Sequence, residues 1–177
     1  AEISTPIWLM CEPSGPIENG TTYIVRPRMQ PANRPSSVAR IALGAKDAHA
    51  VTVFREAESY PGPSLIIAYS HCIAHGIDMA TAMTHQKEAV RSGYLTLYRY
   101  DPRLGMGGSD QPLKLVSRKP TIPLEQFTMK EGRYAMLAQA DPARAKELGK
   151  AAQADADARW QLYEQIAGVH RVVAEPS

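Results

Sequence analysis

The segment that most constrains this chain is Ser64–Ser70 (SLIIAYS), an apolar run of strand length between Tyr60-Pro61-Gly62-Pro63 and the polar His71. A half-buried strand would alternate apolar with polar residues, and an amphipathic helix would need more length. A short run bounded by breakers, apolar at successive positions, reads as a strand covered on both faces. Such a strand needs a layer on each side, so the run predicts a sheet flanked by helices.

The neighbouring text agrees. Val38–Leu43 (VARIAL) reads as a strand. Asp47 caps a helix to about Ser59, with Val51, Phe54 and Ala57 as its apolar face. His71–Met79 reads as a loop, and Ala80–Ser92 as a helix with Met79, Met83 and Val90 on one face and Gly93 at its end. Tyr94–Tyr100 (YLTLYRY) reads as a strand and Asp101–Ser117 as a loop. Pro123 starts a helix carrying Leu124, Phe127, Tyr134 and Leu137. Asp141-Pro142 opens a long amphipathic helix with Leu148, Ala152, Ala156, Tyr163 and Ala167 at helical spacing. The order (β)–α–β–α–β, then two helices, predicts an α/β fold with a parallel sheet and a helical C-terminal tail.

Residues 1–37 are different in kind. They hold six of the 14 prolines and no Lys, and only Thr21–Arg26 (TTYIVR) reads as a strand. The expected division is an irregular segment over 1–37, an α/β core over 38–120 and C-terminal helices over 121–177. The chain has no initiating Met and no basic start leading into an apolar core. That start reads as a fragment or a processed product without a secretory signal.

With 177 residues the chain can bury one real core without staples. Its net charge of +2 argues against a strongly basic nucleic-acid binder. No apolar run approaches the roughly 18 residues of a membrane span. Two cysteines, Cys11 and Cys72, make no disulfide framework, which fits a reducing, cytoplasmic compartment.

In parallel α/β sheets, ligands sit beyond the carboxyl ends of the strands. Ser70-His71-Cys72-Ile73-Ala74-His75-Gly76 is such a place. A thiolate there suits zinc or an iron–sulfur cluster. One Cys and two His are too few to define a site by spacing, and a small Cys packed at a strand end with solvated histidines is the competing reading. A nucleophilic Cys needs a depressed pKa, and no acid–base partner is evident. Gly105-Met106-Gly107-Gly108-Ser109 does not lead from a strand into a helix, and no Walker-type Lys follows, so it reads as a surface turn. Arg99, Asp101, Arg103 and Arg133 are candidates to meet anions, against the plainer reading of a solvated face; Asp155 and Asp157 read as surface charges on the long helix, and the methionines as core filling.

One stretch is more specific. Glu56–Gly76 (EAESYPGPSLIIAYSHCIAHG) resembles the pyruvate:ferredoxin (flavodoxin) oxidoreductases, in the C-terminal part of their thiamine-diphosphate-binding domain. The resemblance continues through Gln86–Val90, Ser92–Tyr94, Leu97–Pro102, Pro112–Lys119, Glu131–Tyr134 and Trp160–Ala167, and covers about residues 38–168. It implies oxidative decarboxylation of pyruvate to acetyl-CoA with coenzyme A as acceptor. It also implies thiamine diphosphate with Mg²⁺, [4Fe–4S] clusters, and ferredoxin or flavodoxin as electron partner. By the same carry-over Cys72 is one [4Fe–4S] ligand, the other three lie outside this chain, His71 and His75 stand in the cluster's surroundings, and the enzyme is a homodimer. No catalytic residue is assigned to the chain, which is expected to lack activity alone.

The family's Gly-Asp-Gly motif for thiamine and Mg²⁺ is absent. Ser4-Thr5-Pro6-Ile7 resembles the stretch that follows it, but Trp8–Ser37 departs from the family pattern. The reading adopted is a local reading-frame shift or sequence error, with true divergence in a surface insertion as the alternative. A different class of function is also open: a non-enzymatic binding or assembly module, docking through the long helix, with a small zinc site at Cys72, His71 and His75.

Overall fold

The computed structural model describes residues 9–11, 21–26, 36–106 and 111–169, the first two stretches by backbone alone. Most of the Pro-rich segment, Ser4–Ile7 included, and residues 107–110 of the Gly-rich turn lie outside the described residues. Among the described residues six strands form one sheet: β1 (Leu9–Cys11), β2 (Thr21–Arg26), β3 (Ser37–Ile41), β4 (Ser64–Tyr69), β5 (Tyr98–Tyr100) and β6 (Leu113–Leu115). Their order is β1-β2-β4-β3-β5-β6. The helices are α1 (Asp47–Ser59), α2 (Ala82–Arg91), α3 (Pro102–Met106), α4 (Leu124–Thr128), α5 (Gly132–Ala140) and α6 (Pro142–Ala167). No helix among the described residues is long and apolar enough to cross a membrane.

The apolar run is the inner strand β4, and helices cover both its faces. Ile66 joins Ala39 and Ile41 against Ala50, Val53 and Ala57 of α1. Tyr69, on the opposite face, packs with Ala42, Ala89, Leu95, Leu97, Leu124, Phe127 and Ala156. This second core is roofed by α2, α4 and α6.

The α/β class holds, but the sheet is mixed. Among the described strands only β3 and β4 run parallel, through the α1 crossover. The fifth strand is antiparallel to β3. The cause is the position of α2. It remains at the carboxyl end of β3 and β4, where Gln86 holds Gly44 and Ala89 packs beside Ala42 and Tyr69. Gly93, at φ 77°, then turns the chain, and Leu95 N–H bonds back to the Ala89 carbonyl at 3.0 Å. The chain re-enters the sheet from the carboxyl end, so β5 must run the other way. Leu95 and Leu97 are core residues ahead of that strand, which is shorter than the Tyr94–Tyr100 expected.

Three helical faces are rotated from the sequence reading. In α1 the expected Ala57 is buried and Phe54 packs partly buried beside it, but His49, Ala50 and Val53 are the other buried residues and Val51 is exposed. In α2 they are Ala82, His85, Gln86 and Ala89, and the expected Met79 and Met83 face solvent. The methionines expected in the core are thus corrected at positions 79, 83, 129 and 136, all exposed. In α6 the anchors are Ala156 and Trp160, and Leu148 is exposed. The helix expected from Pro123 is two helices, broken where Glu131 turns inward in extended conformation. Asp141 caps α6 as read, accepting from Arg144 N–H at 2.9 Å. The loop reading of Asp101–Ser117 is also corrected, since Asp101 precedes α3 and β6 follows.

His49 ties α1 to β3, its Nε2 lying 3.1 Å from the Arg40 carbonyl. Burial lowers its pKa below the ordinary 6.5, assisted by the charges of Arg99 and Lys46, against the raising effect of the Arg40 hydrogen bond. The unfolded chain therefore takes up a proton on this ring at a higher pH than the folded chain does. Its contribution is full above the ordinary imidazole value and falls as pH drops through it towards the folded pKa. Urea denaturation between about pH 7.5 and about pH 5.5 should show a falling midpoint, and His49→Gln should flatten that decline.

Candidate functional site

Strand β4 ends at Tyr69, and Cys72 follows at the carboxyl edge of the β3–β4 parallel pair. The thiol is free and half-buried. Cys72 is extended (φ −132°, ψ 131°) and leads into a 3-10 turn over Ile73–His75, where His75 N–H donates to the Cys72 carbonyl at 3.0 Å. Gly76 closes the turn in the left-handed region at φ 71°.

Both ends of this loop are held. At the far end, Gly132 N–H donates to the Gly76 carbonyl at 3.2 Å. The backbones approach so closely that a Cβ on Gly76 would lie 2.9 Å from Gly132 Cα. At the near end, Gln86 Nε2 lies 2.9 Å from His71 Nδ1, while Gln86 Oε1 accepts from Gly44 N–H at 2.8 Å. Gln86 is buried, and its bridge joins the loop after β3 to the loop after β4.

The residue beside it completes the frame. His85 Nε2 meets Glu131 Oε1 at 2.9 Å, with side-chain exposures of only 2% and 0%. Arg133 Nε donates to the other carboxylate oxygen. The His85 ring stacks on Phe127 with centroids 4.4 Å apart, and its Nδ1 is buried without a hydrogen-bond partner. Glu131 directly precedes Gly132, so the buried pair fixes the point at which Gly76 is clamped. Burial, and then the Glu131 carboxylate, push the Tyr69 phenol well above its ordinary pKa, so it stays protonated.

The residues named from sequence fall into two groups. His71, Cys72 and His75 lie together in the loop, all half-buried. The other charges have partners inside the chain: Arg99 with Glu56, Asp101 with Arg103, Arg133 with Glu131, Asp155 with Arg159. Asp157 accepts from Gln153. Arg133 is thus part of a buried network and not a solvated charge. By register, Cys11 lies opposite Tyr23, which lies opposite Ile67, five residues short of Cys72. Among the described residues no three His, Cys, Asp or Glu side chains come together as a metal site. The zinc reading of Cys72, His71 and His75 therefore has no support, and the His71 Nδ1 lone pair already accepts from Gln86. One thiol fits one corner of a cluster.

Sequence reasoning missed Gly44, His85, Gln86 and Glu131 as site residues. A signal was present. Ala82, His85, Gln86 and Ala89 have i, i+3, i+4, i+7 spacing, which marks a buried helix face even though two of the four are polar.

Comparison with known proteins finds relatives over most of the chain. A pyruvate-flavodoxin oxidoreductase of Trichormus variabilis is 55% identical over 130 residues, 73% of this chain. The chain carries a segment of the pyruvate-flavodoxin oxidoreductases. The Rhodospirillum rubrum pyruvate-flavodoxin oxidoreductase is 45% identical over 139 residues, 78% of the chain. A pyruvate:ferredoxin oxidoreductase of Moorella thermoacetica is 43% identical over 130 residues, 73% of the chain. The chain spans about 11% of the length of these curated relatives. No family model matches it.

The frame around the loop makes a stability prediction for this oxidoreductase segment. Glu131→Ala leaves His85 and Arg133 without their shared acceptor and should cost about 3–5 kcal/mol, the range for breaking a buried pair on one side. Glu131→Gln, which keeps an acceptor oxygen, should lose less. Urea denaturation of both variants measures the difference.

Proposed function

We propose that this chain serves a pyruvate:ferredoxin or pyruvate:flavodoxin oxidoreductase by holding one corner of a [4Fe–4S] cluster through Cys72. The observation that carries the reading is the position of the thiol. It is free and half-buried, at the carboxyl edge of a parallel strand pair, in a loop held at both ends. A thiolate held in this way can bind iron without the backbone having to reorganise. His71 and His75 flank it as side chains of the cluster's surroundings.

In this reading thiamine diphosphate with Mg²⁺ supplies the carbanion-stabilising chemistry of pyruvate decarboxylation, and the clusters supply the one-electron path to ferredoxin or flavodoxin. Coenzyme A takes the acetyl group. The chain's own contribution is structural and electronic. It positions one sulfur, and Glu131, held by His85 and Arg133, precedes the Gly132 that is bonded to the loop at Gly76. The sequence carries no Gly-Asp-Gly motif, so no thiamine or Mg²⁺ step is assigned to its residues. The proposal places the enzyme in the cytoplasm as a homodimer, with this segment inactive when isolated.

The test uses the complete oxidoreductase that carries the segment. Cys72→Ser should lose about four iron atoms per polypeptide and the EPR signal of one reduced cluster. Pyruvate-dependent reduction of a viologen dye should fall with it. Unchanged iron content and an unchanged EPR spectrum would overturn the reading.

A further inference from the structure

The hydrogen bonds of Gln86 fix more than the position of the loop. Gly44 N–H can only donate, so the Gln86 atom 2.8 Å from it is the carbonyl Oε1. The amide nitrogen is thereby directed at His71 Nδ1, 2.9 Å away. An amide nitrogen can only donate, so Nδ1 accepts and the ring hydrogen sits on Nε2. The bridge has little freedom to rearrange. Gln86 is 4% exposed, and a Cβ on Gly44 would meet the Met83 carbonyl at 2.4 Å, so this approach is open only to glycine.

Two chemical consequences follow for the residue next to Cys72. The Nδ1 lone pair is occupied, which bars His71 from ligating a metal through that atom. Nε2 is left as an N–H donor. We propose that Gln86 is a positioning residue. By joining Gly44 to His71 it fixes His71 as an Nε2–H donor towards the anionic group anchored at Cys72, and keeps it from becoming a ligand. This rests on the reading of Cys72 as a cluster thiolate. Hydrogen bonds to cluster sulfur raise the reduction potential, because they stabilise the form carrying the extra electron.

Gln86→Glu in the complete oxidoreductase tests this with little change of shape. The carboxylate still accepts from Gly44 N–H, but towards His71 it can only accept. In the neutral ring the hydrogen then moves to Nδ1 and Nε2 ceases to donate, so the titration is run at alkaline pH, where the ring beside the new carboxylate is neutral. An EPR-monitored redox titration should show a negative shift in the midpoint potential of one cluster, the one lost in Cys72→Ser, with the others unmoved. In a His71→Ala background, Gln86→Glu should give a clearly smaller shift, the remainder being the effect of the added carboxylate charge. An equal shift with and without His71 would mean that Gln86 acts only on the structure, and would overturn the proposal. So would a Gln86→Glu enzyme with unshifted potentials, in which case the Cys72 reading stands by its own iron loss. If Cys72→Ser leaves every cluster in place, the Cys72 reading falls and this role falls with it.

Discussion

The carboxyl edge of this sheet depends on two adjacent polar residues, His85 and Gln86, on the buried face of α2. A helix face placed against a core is ordinarily apolar, and a buried polar group without a partner is costly. Here each has its partner at a fixed place. Gln86 reaches Gly44 and His71, and His85 reaches Glu131. Those partners lie in three different connections: after β3, after β4 and between α4 and α5. The desolvation cost of the pair is met only when all three come together, so one turn of α2 sets the arrangement of the whole edge.

This constraint explains features that otherwise look unrelated. The break between α4 and α5 lies where Glu131 turns inward to meet His85, with Arg133 on its other oxygen. The antiparallel entry of β5 arises because α2 remains at the carboxyl edge and does not run back along the sheet. The exposed Met79 and Met83 are the other side of the same rotation, since His85 and Gln86 occupy the face those methionines would have filled. The Cys72 loop itself contributes little apolar burial, with Ile73 exposed at 71%. It is placed by its two end contacts.

Much of the element order was legible because it depends on local rules. The apolar run ending at Tyr69, the Pro-Gly-Pro stop before it, the α1 span and the Asp141-Pro142 start of α6 all appear in the structure where the residues put them. The TTYIVR strand was legible for the same reason, as β-branched residues between breakers. Helix faces were less so. Hydrophobicity counts made Val51 and Met83 inward residues, whereas packing placed Ala50 and Val53 beside the expected Ala57 in α1, and selected the polar pair in α2.

By itself, then, the sequence determined the α/β class, the inner strand, and the place of Cys72 just beyond that strand's carboxyl end, because chain breakers and apolar runs act within a few residues of themselves. Only the tertiary structure decided strand direction, the break before Gly132 and the roles of Gly44, Gln86 and Glu131. Gln86 lies 42 residues from Gly44, and His85 lies 46 residues from Glu131. A hydrogen bond over that separation leaves no local pattern, and it is made only when the folded backbone brings donor and acceptor within about 3 Å in a place that excludes water.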